Sequence, residues 1–181
     1  MENKITLGIE AIIGAYNGVS RLLSLQGLTR KQVYWLDRNR EHLMPHVKNW
    51  YTKIANTVFE KFAIDVDDTP FVPPARYQAF KKELLDKIES GSGLTIYEIF
   101  TKHEMTAKIN RGIPIDKKEE HANALAEEAE KFVKEIEYNK IVVDKHFEEL
   151  SRNLTGEEQL AIAFMLEEPS TIRLAPAGVD L

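Results

Sequence analysis

Apolar positions recur at steps of three and four through most of the chain, and this is the mark of helices with one buried face. Ile5, Ile9, Ile12, Ile13, Tyr16, Val19 and Leu23 form the first such stripe, which Gly27 ends. Thr29 and Gln32 then make a capping box, the Thr hydroxyl accepting an orphan amide and the Gln reaching back. Val33, Leu36, Leu43, Val47, Trp50, Ile54, Val58 and Phe62 continue the helical period, with Pro45 inside it expected to kink or divide the run. The segment from Asp65 to Pro74, dense in Asp and Pro, reads as a surface connection.

Tyr77, Phe80, Leu84, Leu85 and Ile88 mark another helix, closed by Gly91 and Gly93. Thr95 with Glu98 opens the next, whose inner face is Ile96, Ile99, Phe100, His103 and Ala107. Asp116 with Glu119 predicts the start of one long helix to Leu150, carrying Leu125, Phe132, Ile136, Val143 and Phe147 inward. Thr155 with Glu158 predicts a last helix through Leu160, Phe164 and Leu166. No run alternates with period two for long enough to argue a sheet. The expectation is an all-α domain of roughly six to eight helices over 1–168, with 169–181 an extended tail or the start of a linker.

Composition narrows the function classes. With 181 residues the chain suits one core, and a formal charge of −5 with interspersed signs argues against nucleic acid as a partner. It contains no cysteine, which excludes disulfides, thiolate ligands and a catalytic thiol. Glu2, Lys4, Glu10 and Arg21 interrupt the apolar start, so neither a signal peptide nor a membrane span is expected, and the cytoplasm is the expected location.

Any metal would fall to the histidines: His42, His46, His103, His121 and His146. His103 follows Ile96, Ile99 and Phe100 at helical spacing and turns toward the core, where a carbonyl-bonded histidine outweighs a metal ligand on pattern alone. His42 and His46, one turn apart, read first as a solvated pair. No Glu-x-x-His occurs, which counts against a ferritin-like di-iron bundle. Phosphate-binding loops and nucleophile motifs are absent, and no catalytic residue is expected.

Two segments carry a resemblance. Gly27 to Phe62, with its Trp50-Tyr51 dipeptide, is similar to the start of the globin domain in globin-coupled sensors and protoglobins. Tyr97 to His103, followed by Gly112-Ile113-Pro114, resembles that family's proximal segment. The resemblance covers roughly residues 20–165 and implies a globin-like fold with an extra N-terminal helix. It also implies haem, with His103 on the iron, Tyr51 offering a hydroxyl to the ligand pocket, and Trp50, Phe59, Phe62, Phe80 and Phe100 around it. The function implied is binding of oxygen, CO or NO for sensing, in a protein that is a homodimer and not an enzyme. Two alternatives stay open: a haem-free globin-fold module that signals by dimerising through its first or last long helices, and a non-haem iron bundle.

Overall fold

A computed structural model describes residues 3–62, 65–66, 69–70, 82, 85–86 and 113–167. The expectations for Phe80, Phe100 and His103, for their helices and for the tail lie outside the described residues. Within them the chain is mostly helical, with short strand pairings added. The order is β1 (Asn3–Gly8), α1 (Ile9–Ser24), α2 (Arg30–Asn49), a π-helical turn (Trp50–Ile54) and α3 (Ala55–Phe62). Two short strands follow, β2 (Asp65–Val66) and β3 (Thr69–Pro70). After the 3-10 turn Ile115–Lys117 come α4 (Lys118–Lys131), β4 (Val133–Tyr138), β5 (Ile141–Val142), α5 (Lys145–Ser151) and α6 (Gly156–Ile162). A 3-10 turn, Ala163–Met165, leads to β6 (Leu166–Glu167).

Helix α1 is the centre of the core. Ile9, Ile12, Ala15, Tyr16, Val19 and Leu22 are all buried, and α1 packs against α2 on one side and α6 on another. The approach of α6 is close because Gly14 and Gly18 stand one turn apart on α1. A β-carbon on Gly14 would lie 2.9 Å from Ala161 Cβ, and one on Gly18 would lie 2.9 Å from Ile162 Cγ2 and 3.1 Å from the Glu158 carbonyl. Absent side chains thus let two backbones approach.

Both predicted capping boxes form. Gln32 N donates to Thr29 Oγ1 and Thr29 N to Gln32 Oε1 at 3.2 and 2.9 Å, and Thr155 and Glu158 repeat the arrangement ahead of α6. Gly27, with φ of 108°, turns the chain after α1 in a conformation that side chains avoid. Pro45 leaves α2 undivided from Arg30 to Asn49.

Four expectations are corrected, the first being the last helix, which was expected through Leu166 and ends at Ile162, where a 3-10 turn and strand β6 take over. The chain from Ile5 to Gly8 is strand, not helix, pairing antiparallel with β4 in the register Ile5 to Ile136 and Leu7 to Lys134. The helix expected from Asp116 to Leu150 ends at Lys131; Val133–Tyr138 is strand β4, and helix resumes as α5. Asp116 lies inside the 3-10 turn and caps nothing with its side chain. The physical reason is a pairing partner some 130 residues upstream, whose ladder hydrogen bonds and Ile5–Ile136 contact override the helical tendency of Lys134, Glu135 and Glu137. The connection after α3 also holds a two-stranded antiparallel pair, Asp65 against Pro70. A short parallel pair joins Ile141 to Leu166.

Helix α2 is bound to the 137–144 segment by its polar side chains rather than by its apolar ones alone. Asn39, 1 % exposed, donates through Nδ2 to the Asn139 carbonyl at 2.9 Å and accepts the Asn139 amide at 2.6 Å. His42 Nδ1 stands 2.7 Å from the Glu137 carbonyl. Gln32 Nε2 donates to Val142 O and to Asp144 Oδ2, both at 3.3 Å. Side chains of one helix thereby satisfy backbone groups along this segment.

Candidate functional site

The Trp50-Tyr51 dipeptide sits in the π-helical turn. There the Ala55 amide bonds the Trp50 carbonyl, five residues back, and the widened ring adds a residue to the turn. Trp50, Tyr51, Ile54 and Ala55 consequently all reach the core. Trp50 is buried, its ring edge-on to Phe132 with centroids 5.7 Å apart, so it packs inside hydrocarbon instead of walling a void. Tyr51 keeps part of its surface exposed, yet burial raises its hydroxyl pKa well above the ordinary value, which places the phenol end in a water-poor setting. Phe59 is buried, and Phe62 meets the His121 ring edge-on at 5.9 Å. Of the expected pocket residues, the structure therefore brings Trp50 and Tyr51 to the same turn but gives Trp50 and Phe62 other ring partners.

The four described histidines serve separate contacts. Besides His42 on the Glu137 carbonyl, His46 is half-buried, and its pKa is lowered by burial first and by the Lys134 cation second. Burial likewise lowers that of His121. His146 is exposed, with Nδ1 3.9 Å from Glu149 Oε2. Among the described residues no group of three or more His, Cys, Asp or Glu side chains could hold a metal ion. Nor, among them, is any helix long and apolar enough to cross a membrane.

A second feature was not singled out from the sequence. A groove of about 240 Å³ runs between the start of α2 and β5, lined among others by Lys31, Trp35, Val142 and Asp144. Next to Trp35 in sequence, Tyr34 is 53 % exposed, with its ring 4.7 Å from that of Trp35 in an edge-on arrangement. One turn on, the Arg38 guanidinium is held by Glu41 at 2.7 Å and also feels the Tyr34 hydroxyl. Val142, 43 % exposed, forms the opposite wall. The signal available in the sequence was an adjacent Tyr-Trp pair immediately after a capping box, with Tyr34 off the apolar stripe.

Compared with known proteins, the chain matches no protein-family model, no curated protein and no solved structure.

Proposed function

We propose that the chain acts as a haem-free, globin-like helical module in signalling, and that it associates with a second copy of itself through the Tyr34, Trp35 and Arg38 row of α2. The observation that carries this reading is the exposed Tyr34 ring set edge-on against half-buried Trp35, which lines a groove with an apolar wall at Val142. Tyr, Trp and Arg are the residue types that dominate binding energy at protein interfaces, since they offer large rigid surfaces with a polar end. That haem plays no part is supported by Trp50, whose ring is engaged with Phe132. Sedimentation velocity from micromolar to sub-millimolar protein tests it. A concentration-dependent dimer that is lost in Tyr34→Ala and in Arg38→Ala supports the proposal; a wild-type monomer throughout overturns it.

A second reading, a haem globin that senses oxygen, CO or NO in the cytoplasm, is favoured by the desolvated Tyr51 hydroxyl. Haem would supply an iron open to a diatomic ligand, with His103 as the proposed iron-holding residue. Tyr51 would stay protonated and offer a donor to the pocket. Phe59 suits an apolar surround, while Trp50 as packed does not. Adding haem to the purified protein separates the readings. A Soret band that persists in His42→Ala and vanishes in His103→Ala supports the haem reading; a colourless protein after haem addition eliminates it.

A further inference from the structure

Helix α2 and strand β4 run past one another in opposite senses. His42 meets the carbonyl of Glu137, and two turns later Trp50 meets Phe132. His46, midway between these contacts on the same face of α2, therefore lies over the stretch beginning at Lys134. The Lys134 ammonium rests 5.1 Å from the centre of the Phe132 ring, so cation, Phe132 and the edge-on Trp50 form a continuous row of contacts at this end of β4.

The charges around His46 have one sign. Along β4 successive side chains alternate, and Glu135 and Glu137 turn to the other face, where Lys4 of β1 approaches them at 2.9 and 3.6 Å. On α2 the residues three and four positions away are His42, Leu43, Asn49 and Trp50, and the nearest carboxylate in sequence, Glu41, is occupied by Arg38. On α1, Glu10 is exposed and Arg21 pairs with Glu158. The π-helical turn adds Lys53, and β5 carries no charge. On α4, whose end adjoins Phe132, Glu128 pairs with Lys131 and Glu130 is exposed, so the charge that bears on the His46 ring is the Lys134 cation.

We propose that the contact between α2 and β4 is an acid-released latch, closed while His46 is neutral and opened when its protonated ring confronts Lys134. His42 is not the trigger. A carbonyl can only accept, so Nδ1 of His42 carries the hydrogen, and protonation of Nε2 leaves that bond in place. Opening frees the end of β4 and, through it, β1, whose partner among the described residues is β4.

Amide hydrogen exchange, corrected for intrinsic rates, tests the latch between about pH 5 and 7.5. Protection of the β1 and β4 amides should fall relative to α1 and α6 as pH drops through about 6.5, by at most about tenfold per pH unit for one proton. His46→Gln should flatten this dependence. Lys134→Gln, which alters only an exposed side chain, should make it shallower with the fold intact, and His121→Gln should leave it unchanged. Protection in β1 and β4 that is independent of pH, that merely follows α1 and α6, or that keeps the wild-type slope in His46→Gln overturns the proposal.

Discussion

Replacing Asn39 by alanine is the sharpest single test of how α2 is attached. The carboxamide forms two hydrogen bonds with the Asn139 backbone, at 2.9 and 2.6 Å, and a third contact with the Asn139 side chain at 3.2 Å. Each bond contributes about 1 kcal/mol net, and a backbone group left without a partner costs about 1–3 kcal/mol when water cannot reach it. Asn139 is half-buried, so water compensates part of that penalty, while truncation beneath a side chain only 1 % exposed adds a small void. The sum is a loss of about 2–4 kcal/mol, a large part of the stability of an ordinary domain. Urea unfolding followed by far-UV circular dichroism should show an earlier midpoint with unchanged slope, since the same surface is exposed. A loss below about 0.5 kcal/mol, the usual range for a surface substitution, would refute the reasoning that Asn39 closes the strand segment.

Two further outcomes are expected. Gly18→Ala should destabilise by about 1–3 kcal/mol because its β-carbon would meet the Glu158 carbonyl at 3.1 Å, whereas Gly156→Ala, with nothing within 4 Å, should be neutral or stabilising by up to about 1 kcal/mol; thermal unfolding of the pair measures the contrast. Global stability should fall as pH drops below about 6.5, since His46 and His121 both bind protons less readily folded than unfolded, so the unfolded state gains protons first; the stability is fully present above that value, and urea midpoints against pH read the sign.

Local signals proved legible where local chemistry decides. The Thr29–Gln32 and Thr155–Glu158 boxes, the turn at Gly27, and the inward set Leu36, Leu43, Val47 and Trp50 all stand as the sequence implies. Val33 does not: it completes the apolar stripe on paper and is 41 % exposed. What escaped is long-range. A six-residue strand rich in Lys and Glu looks helical until Asn3–Gly8 lies beside it, and nothing within either segment announces the other. His42 likewise reads as half of a solvated pair, and nothing local marks Gln32 or Asn39 as long-range partners, because a side chain that bonds a distant backbone resembles a solvated one in sequence. For the candidate site, the Trp50-Tyr51 dipeptide marked a real irregularity of the helix, but the ring that Trp50 contacts, Phe132, lies in a segment assigned to a different element.

The union of β1 with β4 has a consequence for how the chain is made. Lys4 reaches Glu135 across 131 positions, so β1 leaves the ribosome well before β4, its mate among the described residues. Closing so wide a loop is slow compared with winding a helix, and α1, which continues directly from β1, can pack early against α2 but must wait for α6 to cover its other apolar side. Synthesis therefore leaves an apolar segment partly uncovered while the residues between α1 and α6 are added, a state suited to chaperone capture and exposed to aggregation.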